Sequence, residues 1–159
     1  MAITTYTELK TAAANWLTRS DLGSRIAEFV ALAEAHFNRR LRAREQETSA
    51  SIAMAGGAGT LPADYLQWRE VKWPGSVARS LEYADRSWLT ETYPDSPSAV
   101  PRYFTIEGTT ISVVPVDNTS LTLRYYQKIP SLSDGAPTNW LLAAIRISIC
   151  SVRWSRPRG

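Results

Sequence analysis

The sequence has 159 residues with 18 Lys+Arg against 15 Asp+Glu, a net charge of +3. That is one domain, or one domain with an inserted lobe, and its 44% hydrophobic and 21% charged residues exclude wholesale disorder. A single cysteine, Cys150, excludes an internal disulfide, a single histidine, His36, excludes a His-rich metal site, and no apolar run approaches the roughly 18 residues of a membrane span.

The opening MAITTYTELK carries no signal-peptide pattern. Thr5 and Glu8 instead have the S/T-x-x-E spacing of a capping box, and Leu9, Ala12, Ala13, Trp16 and Leu17 follow the recurrence of one helix face. On that stripe Trp16 is expected in the core. Thr18–Ser24 breaks the pattern. A longer helix is predicted from about Ser24, with the stripe Ile26, Phe29, Val30, Ala33, Phe37 and Leu41. The two helices are expected to form an antiparallel hairpin over residues 1–44. His36 flanks the second stripe beside Phe37, a boundary position rather than that of a catalytic base.

Arg39, Arg40, Arg42 and Arg44 end the second helix. Cations there complement the negative end of the helix dipole, each by about 0.3–1 kcal/mol. The functional alternative is contact with phosphates or an acidic protein surface. Glu45 and Glu47 follow at once and dilute the patch.

Residues 45–137 are expected to form a small antiparallel β lobe. Glu45–Met54 is read as a strand or extended arm, and Ala55–Gly59 as a flexible turn. The latter is no P-loop, because no G-K-[ST] follows. Asp64, just after Pro62, is read as a turn residue, and Trp68, Val71 and Trp73 mark a strand over Gln67–Trp73. Asp85 is positioned to cap a short helix, Arg86–Thr92, which contains Trp88. Tyr103–Glu107 and Thr110–Pro115 flank Gly108 as a hairpin. Leu121, Leu123 and Tyr125 alternate with Thr122, Arg124 and Tyr126, the period of a half-buried strand.

Thr138 or Asn139 is expected to cap a third helix beginning Trp140-Leu-Leu, within a last segment of 138–159. The predicted class is therefore α+β, a helix pair and a return helix with a small β lobe inserted between them. The third helix pattern then fails. Residues 144–159 hold Arg146, Arg153, Arg156, Arg158 and Cys150 and no acid, so residues 1–143 carry 14 basic and 15 acidic side chains, a net of −1. Read one base earlier, with TCN serine codons, Ser148, Cys150, Ser151, Trp154 and Ser155 all place T at the second codon position, which always encodes an apolar residue. Those positions fall on one helix face. The tail is read as a frame-changed amphipathic helix, the alternative being a genuine basic tail, and an early stop codon in the alternative frame of the gene overturns the frame-change reading.

Thr5-Tyr-Thr-Glu-Leu9, Asn15-Trp-Leu-Thr-Arg-Ser-Asp-Leu22, Phe29-Val-Ala-Leu-Ala-Glu34, Asn38-Arg-Arg-Leu-Arg42, Leu61-Pro-Ala-Asp-Tyr65 and Tyr125-Tyr-Gln-Lys-Ile-Pro-Ser-Leu132 resemble strings of the adaptor (head-to-tail connector) proteins of short-tailed bacteriophages, the group that includes tail tubular protein A. The resemblance spans residues 3–142. It implies a structural virion protein at the head–tail junction, made in the host cytoplasm. It further implies a ring, usually twelve-fold, that meets the portal protein, neighbouring adaptor subunits and tail nozzle or fibre proteins. DNA would pass through its channel without sequence-specific binding. In the family a helix like Asp-Leu-Tyr-Leu-Tyr-Gly-Ala-Leu follows Trp140-Leu-Leu; the alternative frame restores something close, while the written tail puts the usual portal docking in doubt.

No catalytic, cofactor or metal constellation is legible, and no membrane partner is expected. Six Trp and seven Tyr suit protein interfaces, where aromatic anchors concentrate binding energy. Arg39, Arg40, Arg42, Arg44, Trp68, Trp73, Trp88 and Trp140 are the candidate partner-binding residues. Two alternatives belong to other classes. One is a DNA-binding protein using the arginine cluster and the basic tail, against which the near-neutral body argues. The other is a carbohydrate-binding module, which requires a flat row of exposed aromatics.

Overall fold

The structure is a computed structural model, and it describes residues 3–18, 23–75, 77–95 and 98–145. The basic tail with Cys150, Arg146, Arg153, Arg156 and Arg158, and its frame-change reading, lie outside the described residues. So do residues 19–22 of the predicted interhelical turn. Two compact units make up the chain, Met1–Glu45 with Ile129–Gly159, and Gln46–Lys128.

The expected fold class is overturned. The β part is no small lobe: among the described residues eight strands form two four-stranded sheets, and these residues are mainly β with small helices. The expectation failed on short elements. A three-residue strand and two two-residue strands are too brief to show alternation, and they complete sheets whose longer members alone were legible.

In the first unit, α1 (Tyr6–Leu17) starts on a complete capping box. Thr5 Oγ1 accepts from the Glu8 N–H at 3.3 Å, and Glu8 Oε2 accepts from the Thr5 N–H at 3.2 Å. Thr4 adds its N–H and hydroxyl to the same carboxylate, which holds Glu8 below the usual carboxylate range. The helix α2 (Gly23–Arg40) touches α1 and is tied to the returning chain by two side chains. Glu34, buried, accepts the Leu132 N–H at 2.8 Å, and Asn38 accepts the Ile129 N–H at 2.9 Å. The six-residue helix α4 (Trp140–Ile145) is capped by Asn139, whose Oδ1 accepts the Leu142 N–H at 2.8 Å and whose Nδ2 donates to the Pro130 carbonyl at 2.8 Å.

In the second unit, β1 (Glu47–Ile52), β8 (Leu121–Gln127), β3 (Tyr65–Trp73) and β4 (Arg79–Ser80) form one sheet in the order β1-β8-β3-β4. The other has the order β2-β7-β6-β5, from β2 (Ala58–Thr60), β5 (Glu82–Tyr83), β6 (Tyr103–Glu107) and β7 (Thr110–Val114). All pairings are antiparallel except β5 with β6. The inward residues of both sheets share one core, with Ile52, Val71, Leu121, Leu123 and Tyr125 from the first and Phe104, Ile111 and Val113 from the second. Gly108 closes the β6–β7 hairpin at φ +58°, a conformation that costs a side chain but not glycine. The helix α3 (Arg86–Thr92) begins on Asp85, whose carboxylate accepts the Ser87 N–H as the sequence foretold.

Candidate interaction surfaces

The end of α2 presents the arginine cluster. Arg39, Arg40, Arg42 and Arg44 are all exposed. Arg42 serves the helix end itself, its Nη1 donating to the Asn38 carbonyl at 2.9 Å and the Leu41 carbonyl at 2.6 Å. Those are carbonyls that a terminating helix leaves without intrahelical partners. Glu47, which the sequence set against this cluster, is used elsewhere. It pairs with Arg69 at 2.8 Å and Arg124 at 3.8 Å across the β1-β8-β3 sheet. The cluster is therefore less diluted than the linear charge pattern implies.

The same unit exposes apolar side chains. Trp16, expected in the core, is 88% exposed, and Leu32 is 67% exposed. Of the α2 stripe, Ile26 is buried and Val30 and Leu41 are half-buried, but Phe29, Ala33 and Phe37 are exposed. Phe29 and Leu32 lie one turn apart on the same helix. His36, also exposed, meets Phe37 edge-on at 6.3 Å. Trp140, half-buried at the start of α4, has an indole nitrogen that is buried without a hydrogen-bond partner among the described residues.

The tryptophans of the β unit have distinct settings. Trp68 is half-buried, stacked on Tyr83 at 5.9 Å and edge-on to the core residue Phe104 at 5.2 Å. Trp73 donates its indole N–H to Asp117 at 3.0 Å, and the Gly75 backbone lies so close on its ring that a Cβ there would meet it at 1.8 Å. That ring is occupied within its own unit. Trp88 on α3 is 43% exposed and meets Tyr103 at 5.1 Å and Tyr93 at 6.4 Å, both edge-on. The rings at α3 thus make edge contacts and do not form the flat row that the carbohydrate-module reading required.

The outer face of the β1-β8-β3 sheet is a lattice of charge. Arg69 donates to Glu47 and to the Tyr126 hydroxyl, both at 2.8 Å. Arg124 stands 3.7 Å from Glu70, which also pairs with Lys72 at 3.2 Å. The Ser80 hydroxyl is the main cause that lowers the Glu70 pKa, with Lys72 and Arg124 adding to it. Exposed pairs of this kind contribute about 0–1 kcal/mol each, and they neutralise one another.

Sequence reasoning missed a cleft in the same unit. It lies between α3 and the outer face of the β6–β7 pair, with a volume of about 360 Å³. Thr105 and Ser112, directly opposite each other on β6 and β7, line it together with Leu89, Tyr93 and Arg86. The signal was present in the register: inward Phe104 and Ile106 alternate with outward Tyr103, Thr105 and Glu107. The polar outer face reads as solvent-facing until α3 is placed over it.

Among the described residues no three His, Cys, Asp or Glu side chains gather as a metal site requires, and no helix is long and apolar enough to cross a membrane. No curated protein matches the chain. The SU10 adaptor protein family model matches residues 4–148, which cover both units, and the chain accordingly belongs to the SU10 adaptor protein family, as a structural adaptor of the phage virion.

Proposed function

We propose that this adaptor assembles into a ring, twelve-fold as in the tail tubular protein A-like proteins it resembles, between the capsid portal and the tail. It is made in the host cytoplasm and works at the head–tail junction, where the ring lines part of the passage for DNA during packaging and ejection. The unit with α1 and α2 meets the portal and neighbouring adaptor subunits, and the β unit meets the tail nozzle or fibre proteins. DNA traverses the channel without sequence-specific binding, and the near-neutral body of the chain also argues against tight phosphate contacts.

The observation that carries this reading is the exposure of Trp16 together with Phe29 and Leu32 on helices that already have a buried side. Large apolar side chains left outside mark surfaces that association covers. Tryptophan and arginine are the residue types that dominate interface energetics, and exposed Arg39, Arg40 and Arg44 flank the end of the same helix.

Native mass spectrometry with the cognate portal tests the proposal. A ring is expected on the portal, and a stable monomer in its presence overturns the reading. Replacing Arg39, Arg40, Arg42 and Arg44 by Gln is expected to weaken assembly at least about tenfold, the loss of roughly one charged contact. Unchanged assembly leaves these arginines with a helix-end role alone.

A further inference from the structure

We propose that the arginine cluster at the end of α2 mates with the acidic end of α3 on a neighbouring copy of this chain. The inference rests on the ring reading above and names the two patches that join one subunit to the next.

The pairing of charges within the chain carries it. Lys10 pairs with Asp134 and Arg86 with Glu107, while Arg69, Lys72 and Arg124 share Glu47 and Glu70. Arg39, Arg40 and Arg44 are different. All three are exposed, and none makes an ion pair or side-chain hydrogen bond to a described residue. Arg42 is engaged with the carbonyls of its own helix end. Within residues 38–46 four cations stand against one acid, Glu45.

The opposite imbalance stands at the end of α3. Glu91, in its last turn, and Asp95, four positions on, are exposed and likewise make no ion pair or side-chain hydrogen bond to a described residue. The last turn of α3 holds no basic residue, so nothing on the helix offsets these carboxylates or the negative end of its dipole. The other exposed acids in the same condition have cations close by. Glu45 sits among the arginines, Glu82 shares a cleft with Arg79 and Arg102, and Glu28 lies one turn from Arg25 on α2.

Symmetry turns the two imbalances into an interface. A ring is built from a heterologous contact, in which one patch of each subunit meets a different patch of the next. An arginine cluster cannot meet itself, because like charges repel once water is removed from between them. This chain carries both complements, and neither is neutralised at home. Guanidinium forks match carboxylates bidentately, so two carboxylates at one helix end can hold two arginines. Patches of opposite sign also fix the head-to-tail orientation of the encounter.

Charge reversal tests the pairing, read by native mass spectrometry of the full-length chain with its cognate portal. The wild type is expected to form the ring. One variant carries Arg39→Glu, Arg40→Glu and Arg44→Glu, with Arg42 untouched; a second carries Glu91→Arg and Asp95→Arg. Each puts like charges at the contact and is expected to weaken assembly at least about a hundredfold. Mixed together, the two are expected to assemble as an alternating ring to within about tenfold of wild type, because each patch again faces its opposite. One chain with all five changes is expected to do so alone. Glu91→Gln with Asp95→Asn, a milder change at exposed positions, is expected to weaken assembly about tenfold. No ring from the wild type overturns the ring reading and this pairing with it. A wild-type ring that the reversals or the neutral variant leave unchanged, or that neither the mixture nor the five-change chain restores, overturns the pairing and leaves the ring reading standing.

Discussion

Tyr125 and Asp64 show what a motif residue can do beyond its local turn. Tyr125 is buried with its hydroxyl donating to Asp64 Oδ1 at 2.9 Å, so the Leu61-Pro-Ala-Asp-Tyr65 turn is fastened to the middle of β8. Burial first, and then the hydrogen bond to Asp64 and its charge, push the Tyr125 pKa up to about 12. An unfolded phenol titrates near 10. The folded state thus favours the protonated phenol. The stability this supplies is complete below about pH 10 and is lost as pH rises through about 12. Tyr125→Phe is expected to cost about 1.5–3 kcal/mol at neutral pH, the range for a bond to a charged acceptor. It should also flatten the alkaline loss. Urea unfolding at neutral and alkaline pH reads both; wild-type stability at pH 7 would contradict the first expectation, and an unchanged alkaline slope the second. Asp64 was legible as a turn residue from Pro62, but its second bond reaches across 61 positions of sequence and has no local trace.

At the scale of elements, capping was the most legible feature, because a cap is local. Thr5 with Glu8 and Asp85 stand where the spacing put them, and of the two candidates Thr138 and Asn139 it is Asn139 that accepts the Leu142 N–H. Packing was less so. Trp68, Val71 and Trp73 cannot lie on one face of a regular strand, since 68 and 71 differ by an odd number. Irregularities between Tyr65 and Gln67 and between Trp68 and Glu70 shift the register, so that Trp68 pairs with Tyr125 and Val71 with Leu123, toward the core. The stripe on α1 misled in the opposite sense, because periodicity identifies an apolar face without saying whether this chain or another covers it. The stripe placed Trp16 in the core, and it is 88% exposed. The candidate arginines and tryptophans were found by residue type, whereas the α3 cleft required the strand register. The start of α4 carries the prediction at this scale, because Asn139 both caps its first turn and holds the incoming chain at Pro130. Asn139→Ala removes the bond to the Leu142 N–H and orphans the Pro130 carbonyl, an expected loss of about 2–4 kcal/mol in all. Asn139→Ser keeps a capping oxygen and is expected to lose about half as much. Thermal unfolding followed by circular dichroism checks the order of wild type, Ser and Ala, and equal stability of the two variants would show that the cap is not what Asn139 contributes.

For the whole molecule, the decisive feature is that the unit Gln46–Lys128 contains everything its core needs. Every member of the shared core lies between Ile52 and Tyr125, and none comes from α1, α2 or α4. Its two ends are brought together by its own sheet: Glu47 pairs with Tyr126 at the first position of the β1–β8 ladder, and Gln46, fully buried, donates from Nε2 to the Gln127 carbonyl at 3.3 Å. The chain enters and leaves this unit on neighbouring strands, so severing it there interrupts no ladder of the two sheets. A fragment of residues 46–128 is therefore expected to fold by itself, with a stability on the order of 5 kcal/mol. Near-ultraviolet circular dichroism should retain the signals of Trp68, fixed against Tyr83 and Phe104, and of Trp73, fixed by Asp117 and Gly75. Denaturant unfolding should give one cooperative transition. A fragment with no cooperative transition would mean that this core depends on the helices after all. A folded one would give the proposed tail-protein partners a separate module on which to be measured, apart from the exposed Trp16, Phe29 and Leu32 on which ring assembly is proposed to depend.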